Sequence, residues 1–193
     1  DKEENMSIIS TDKGKHWTHK NIPAIHPVYN FSPYFNAINN ETSIAMLRRG
    51  GVAVSIDNGN SWQVKRRPVS RLASFDFHDS VIMAAVYYQG GYGLQLLLSK
   101  DNGISWSAIS IKGGSLEVAH VLYKNGVWHV TYGQYYCQLD DSGNMLKERE
   151  FEYYGKFMCA NASTLAVFTN VNRFFISHDN GTTWEETKLP YYA

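Results

Sequence analysis

Five aspartates recur along this chain at a step of roughly 40 residues: Asp12, Asp57, Asp101, Asp141 and Asp179, each followed two positions later by glycine. A carboxylate in such a pattern can serve catalysis, hold a ligand, or cap a turn by accepting backbone N–H bonds. The surrounding residues favour the last. Ser10 to Trp17, Ser55 to Trp62, Ser99 to Trp106 and Ser177 to Trp184 are near-copies of one phrase, Ser-x-Asp-x-Gly-x-x-Trp. In it Asn58-Gly59, Asn102-Gly103 and Asn180-Gly181 supply residues that tolerate positive φ. The closing tryptophan falls on the returning strand, where its ring covers apolar surface while its N–H finds a partner. A fifth copy, Leu139 to Met145, keeps Asp141-x-Gly143 and loses the serine and the tryptophan.

Other chemistry is sparse. His16, His19 and His26 lie near the start, and His120 and His129 fall across an expected hairpin. None has the spacing or the cysteine pairs of a zinc site, so neither a metal nor a cofactor is expected. Asp76, His78 and Asp79, and the pair Asp140-Asp141, read as turn formers ahead of calcium ligands. Cys137 and Cys159 lie in different units and are expected to be two buried thiols.

The elements that position these residues are strands. Thr42 to Leu47, Gly51 to Val54, Leu72 to Phe77, Val81 to Tyr88 and Gly93 to Leu98 are apolar, β-branched or aromatic runs broken by short polar turns. Later units read as Leu116 to Tyr123, Val127 to Tyr132, Tyr135 to Leu139 and Met145 to Phe151, then Phe157 to Asn161, Leu165 to Thr169, Phe174 to Ser177 and Thr183 to Thr187. No helical period appears, and the phrase always sits between the third and fourth strands of a unit. Composition agrees with one folded domain over residues 1–193: 44% of residues are hydrophobic, and 18 acidic side chains balance 18 basic ones. That balance argues against nucleic-acid binding, and no apolar run is long enough to insert in a membrane.

The phrase resembles the Asp box, or bacterial neuraminidase repeat, of sialidases and related propeller proteins. The resemblance implies an all-β fold, a small β-propeller of about five blades of antiparallel strands, with the Asp-box turns on the blade rim. Before Ser10 there is room for one strand, Asn5 to Ile9, so the first blade is expected to be incomplete in this chain. Asp-box domains are commonly exported, which implies a periplasmic or extracellular location. A sialidase would also need an arginine triad, a tyrosine nucleophile paired with a glutamate, and an acid/base aspartate. Five of the arginines crowd between positions 48 and 71 instead of spreading over separate blades. No catalytic residue is assigned.

Turns between second and third strands, and links from one blade to the next, emerge opposite the Asp-box turns. On that face the sequence concentrates Arg48, Arg49, Arg66, Arg67, Arg71, Tyr87, Tyr88, Tyr92, Tyr135, Tyr136 and Arg173. Tyrosine offers rigid area with a polar tip, and arginine grips carboxylates through a fork of donors. The expectation is a non-catalytic binding protein that presents this face to a protein partner with an acidic surface, an inhibitor or immunity-type role being one such setting. The alternative is a glycan-directed protein, lectin-like or a fragment of a sialidase-type glycosidase, gripping an anionic glycan.

Overall fold

The computed structural model describes residues 6–9, 15–21, 36–39, 42–47, 51–57, 61–66, 71–87, 93–111 and 119–188. Every regular element among them is a strand, and the strands form five antiparallel sheets. Sheet one is a pair, β1 (Met6–Ile9) and β2 (Thr18–Asn21). Sheet two holds β3 (Asn36–Asn39), β4 (Thr42–Leu47), β5 (Gly51–Ser55) and β6 (Gln63–Arg66). Sheet three holds β7 (Arg71–His78), β8 (Val81–Tyr87), β9 (Leu94–Ser99) and β10 (Ser107–Ile109). Sheet four holds β11 (Ala119–Lys124), β12 (Val127–Tyr132), β13 (Tyr135–Leu139) and β14 (Met145–Glu150). Sheet five holds β15 (Gly155–Ala160), β16 (Leu165–Thr169), β17 (Arg173–Ser177) and β18 (Glu185–Lys188).

Each four-stranded sheet is a meander in sequence order, and each Asp-box phrase joins its third strand to its fourth. First strands of consecutive sheets run side by side, β3 by β7, β7 by β11 and β11 by β15. Stacking this way buries both faces of an inner sheet, which is why the second and third strands of sheets three and four read as nearly continuous apolar runs. Met83, Ala85, Leu94, Leu96 and Leu98 of sheet three pack against Ala119, Val121, Trp128 and Val130 of sheet four. Tyr136 and Phe151 in turn pack against Met158, Leu165, Val167, Phe175 and Trp184 of sheet five.

Side chains also stitch the first strands together. The N–H groups of Val121 and Tyr123 donate to Ser74 Oγ at 3.1 Å and Asp76 Oδ2 at 2.7 Å. His78 stacks on Tyr123 with ring centroids 4.2 Å apart. Asp76 is therefore a strand residue that satisfies the edge of the next sheet, not the turn former that its polar neighbours imply. Burial pushes its carboxyl up, against the pull of the two N–H bonds. Cys137 is buried, with its thiol pushed up to about 12 by desolvation, whereas Cys159 is exposed. The expectation of two buried thiols thus fails for Cys159, because β15 turns that residue away from sheet four.

Candidate recognition face and Asp-box turns

The carboxylates of Asp57, Asp101 and Asp179 are consumed by their own turns. Asp101 accepts from Ser99 Oγ at 2.8 Å, from the N–H groups of Ile104 and Ser105 at 3.0 and 2.9 Å, and from Ser105 Oγ at 2.6 Å. These bonds, led by the Ser105 hydroxyl, hold its pKa down to about 2. Asp179 repeats the set with Ser177, Thr182 and Thr183, and its acidity is strengthened in the same direction. Asp57 takes Ser55 and Ser61 likewise. The ring N–H groups of Trp106 and Trp184 donate to the carbonyls of Gly103 and Gly181 at 3.1 and 3.2 Å. Asn102, Gly103, Asn180 and Gly181 all have positive φ, as the turn chemistry requires.

The eroded copy departs from the sequence alignment. Its capping carboxylate is Asp140, which accepts from the N–H groups of Ser142 and Asn144, both at 2.8 Å, and from Asn144 Nδ2 at 2.9 Å. Asp141, the residue that aligns with the other aspartates, instead accepts from the buried Trp128 Nε1 at 2.9 Å. A register shift between Gln138 and Leu139 accompanies this shorter turn. The tryptophan missing from the phrase is replaced by one from the neighbouring strand β12.

Opposite the Asp-box turns, the link from sheet four to sheet five is fastened at both ends. Phe151 N–H donates to Gln134 O at 2.7 Å, Gly155 N–H to Gly133 O at 2.8 Å, and Asn170 N–H to Tyr154 O at 3.0 Å. Gln134 Nε2 adds a bond to Glu152 O at 3.0 Å. On this scaffold Tyr132 and Tyr135 stack at 5.5 Å, and Tyr132 Oη donates to Glu148 at 3.1 Å. Burial raises the Tyr132 phenol pKa, so it stays a donor. The Arg149 guanidinium lies 5.5 Å from the Phe151 ring centre, and that of Arg173 lies 5.1 Å from the centre of Tyr153. Arg173 also pairs with Glu186, which raises its pKa further.

Of the residues singled out from sequence, Tyr87, Tyr135 and Arg173 sit at strand ends on this face; Tyr87 and Tyr135 are half-buried. Arg66 closes β6, and Arg71 opens β7 in register with Tyr87. Arg48, Arg49, Arg67, Tyr88 and Tyr92 lie outside the described residues. Tyr136 is a correction: it is fully buried between sheets four and five. Strand alternation explains this, since Tyr135 and Tyr136 point to opposite sides of β13 and the second faces sheet five. Its hydroxyl donates to His129 Nδ1 at 2.7 Å and accepts from Gln138 Nε2 at 2.9 Å. Because a carbonyl only accepts, the contact of His129 Nε2 with Lys124 O at 3.3 Å places the ring proton on Nε2. Gln138 Nε2 also donates to Asn180 O, which ties this buried network to the next Asp-box turn.

Sequence reasoning missed Arg149 and Glu186, which sit in outer strands whose alternation of charge reads as ordinary solvated surface. Among the described residues, no three His, Cys, Asp or Glu side chains gather as a metal would require.

With this geometry in view, comparison with known proteins agrees on the architecture. Residues 175–186, the last Asp-box turn and its flanking strands, match the BNR/Asp-box repeat family. No curated protein matches the chain in sequence. A solved structure of YCF48 bound to D1 peptide superposes with a TM-score of 0.66 at 16% identity, over 94% of this chain and 60% of that one. YCF48 from Cyanidioschyzon merolae gives 0.63 at 12% identity, over 94% and 66%. An ancestral GH74 enzyme gives 0.65 at 15% identity, over 93% of this chain and 28% of the enzyme. This chain thus spans less than two thirds of those proteins, and the likeness is one of fold. What the sheets, the turns and the comparisons establish together is a chain carrying the BNR/Asp-box repeat on a β-propeller fold.

Proposed function

We propose that this chain is a non-catalytic binding protein and that its partner is a protein docking on the face opposite the Asp-box turns. The observation that carries the reading is the construction of that face around the link from sheet four to sheet five. Two arginines lie over aromatic rings, the half-buried Tyr135 stacks on the buried Tyr132, and the link's backbone is tied to the turns on either side. Side chains already ordered lose less entropy when a partner arrives, and tyrosine and arginine are the residue types that dominate such interfaces. The carboxylates of Asp57, Asp101 and Asp179, by contrast, are occupied within their turns. YCF48, similar in fold, has been solved with a peptide bound, which supports a polypeptide as the kind of ligand.

The partner's contact surface is expected to be acidic, because Arg66, Arg67 and Arg71 converge in sequence on the start of sheet three and Arg173 contributes from sheet five. An inhibitory or immunity-type role is the biological setting this reading favours. In the test, Tyr88→Ala with Tyr135→Ala should leave the β-sheet circular dichroism intact and remove co-purification of the native partner. Retained binding would move the site elsewhere.

A further inference from the structure

Four Asn-Gly pairs punctuate the chain, beginning at Asn58, Asn102, Asn125 and Asn180. Such a pair carries latent chemistry. The backbone nitrogen of the glycine can attack the side-chain amide carbon of the asparagine, because no Cβ screens that nitrogen and the chain turns easily about it. The pair at Asn58 lies outside the described residues. The other three occupy left-handed turns, with φ of 54° at Asn102, 50° at Asn125 and 58° at Asn180. Attack needs the asparagine to leave that conformation, so what holds the glycine N–H decides which pair reacts.

Two of the three are locked. Gly103 and Gly181 are buried, and their N–H groups donate to the buried Ser99 Oγ at 2.8 Å and Ser177 Oγ at 2.7 Å. Asp101 and Asp179 fasten the same turns from the other side. The pair at Asn125 differs in each respect. It forms the tip of the hairpin between β11 and β12, closed by the register pair Lys124 and Val127. Asn125 and Gly126 are exposed, a Cβ added to Gly126 would meet open space, and no hydrogen bond from the Gly126 N–H is found among the described residues. The Asn125 side chain donates from Nδ2 to Asn180 Oδ1 at 3.3 Å, a long bond at the surface.

We propose that Asn125 is a site of spontaneous deamidation in the folded protein, and that the product loosens the joint between sheet four and the last Asp-box turn. The Gly126 nitrogen gives its proton to solvent base and bonds to Asn125 Cγ; the Cγ–Nδ2 bond breaks and ammonia leaves, giving a succinimide. Water then adds at one of the two ring carbonyls and opens the ring to a carboxylate, as aspartate or as isoaspartate. Nothing is oxidised or reduced. The donor that faced Asn180 Oδ1 becomes an acceptor, so a bond is replaced by repulsion. Isoaspartate also adds a methylene to a turn whose Lys124 carbonyl accepts from His129, while Asn180 O across the joint accepts from Gln138. The reacting pair thus borders the buried network of His129, Tyr136 and Gln138. It lies at the Asp-box end of the molecule, away from the proposed partner face, and stands without it.

Held folded for weeks at about pH 8 and about 37 °C in water enriched in oxygen-18, the full chain should deamidate at Asn125 at least about tenfold faster than at Asn102 or Asn180. Peptide masses and isoaspartyl methyltransferase labelling read the three sites separately. Denatured in guanidinium chloride, the three pairs should react at rates within about threefold of one another. In Asn125→Asp, hydrogen exchange at the Thr182 and Thr183 amides should be about threefold or more faster than in the parent, with the Ile104 and Ser105 amides unchanged. Comparable rates at the three pairs in the folded chain, or faster reaction at Asn102 or Asn180, would overturn the assignment of the site. Unaltered exchange at Thr182 and Thr183 in Asn125→Asp would overturn the loosening.

Discussion

Acidification from pH 7.5 to 5 should destabilise this protein chiefly through one side chain, His129. The imidazole is fully buried between sheets four and five, accepting from Tyr136 Oη and donating to Lys124 O. Desolvation is the largest influence on it and lowers its pKa from 6.5 to about 4. The folded protein therefore binds fewer protons here than the unfolded chain, so lowering the pH favours unfolding. The contribution is fully present above pH 6.5 and is lost progressively as pH falls towards 4. A shift of about 2.5 pH units corresponds to roughly 3 kcal/mol in all, of which about 2 kcal/mol is lost by pH 5. For a chain of this length that is a fall of about 4–8 °C in Tm.

Among the described residues, two other groups act in this range. His120, also lowered by desolvation, adds to the loss, while Asp76, raised by burial, works in the opposite sense because its neutral form is favoured in the folded state. Asp101 and Asp179 have lowered pKa values and lose their contribution only below the ordinary carboxylate range. Thermal melts at half-unit pH steps, repeated on His129→Gln, separate these contributions. The variant should be less stable at pH 7.5 and show a much shallower decline to pH 5. Identical slopes in both proteins, or an NMR titration placing the His129 ring near pH 6.5, would refute the reasoning.

Further perturbations address the turns and the core. Gly181→Ala should destabilise by about 2 kcal/mol or more, since the residue has φ +82° and an added Cβ would sit 1.8 Å from Tyr136 Oη; chemical denaturation reads the loss. Thr131→Val should be neutral or stabilising by up to about 1 kcal/mol, because Thr131 Oγ1 is buried without a hydrogen-bond partner. Leu165→Ala should cost about 2–5 kcal/mol from the interface of sheets four and five. Asp141→Ala should perturb the fluorescence of Trp128, whose ring N–H it leaves unpaired, whereas Asp140→Ala should lower Tm through the turn while sparing that emission.

Much of this architecture is legible in the sequence because two local signals agree. The spans Thr42–Leu47, Val127–Tyr132, Tyr135–Leu139 and Leu165–Thr169 coincide with strands read from apolar runs bounded by turn residues. Strand β3, Asn-Ala-Ile-Asn, escapes that reading because its sequence is half polar and its pairing comes from β4. The exchange of roles between Asp140 and Asp141 is invisible for a similar reason: a register shift decides which carboxylate meets the turn, and neighbouring aspartates are chemically equivalent. Tyr136 shows the limit at the candidate site. A cluster of tyrosines marks a strand end, but only the alternation of β13 against sheet five separates the exposed ring from the buried one. Arg149 and Glu186 join the candidate face through rings and charges brought from other strands, which spacing along the chain does not encode.

The account stands on sheets stacked in chain order through their first strands, with the Asp-box corners at one end. A nuclear Overhauser experiment on isotope-labelled protein tests this directly. It should show cross-peaks between the rings of Tyr136 and Trp184, whose centres lie 4.8 Å apart, and between the Tyr123 amide and the β protons of Asp76, whose carboxylate it meets at 2.7 Å. A folded protein in which both contacts are missing, or in which sheet three meets sheet five instead of sheet four, would contradict the account.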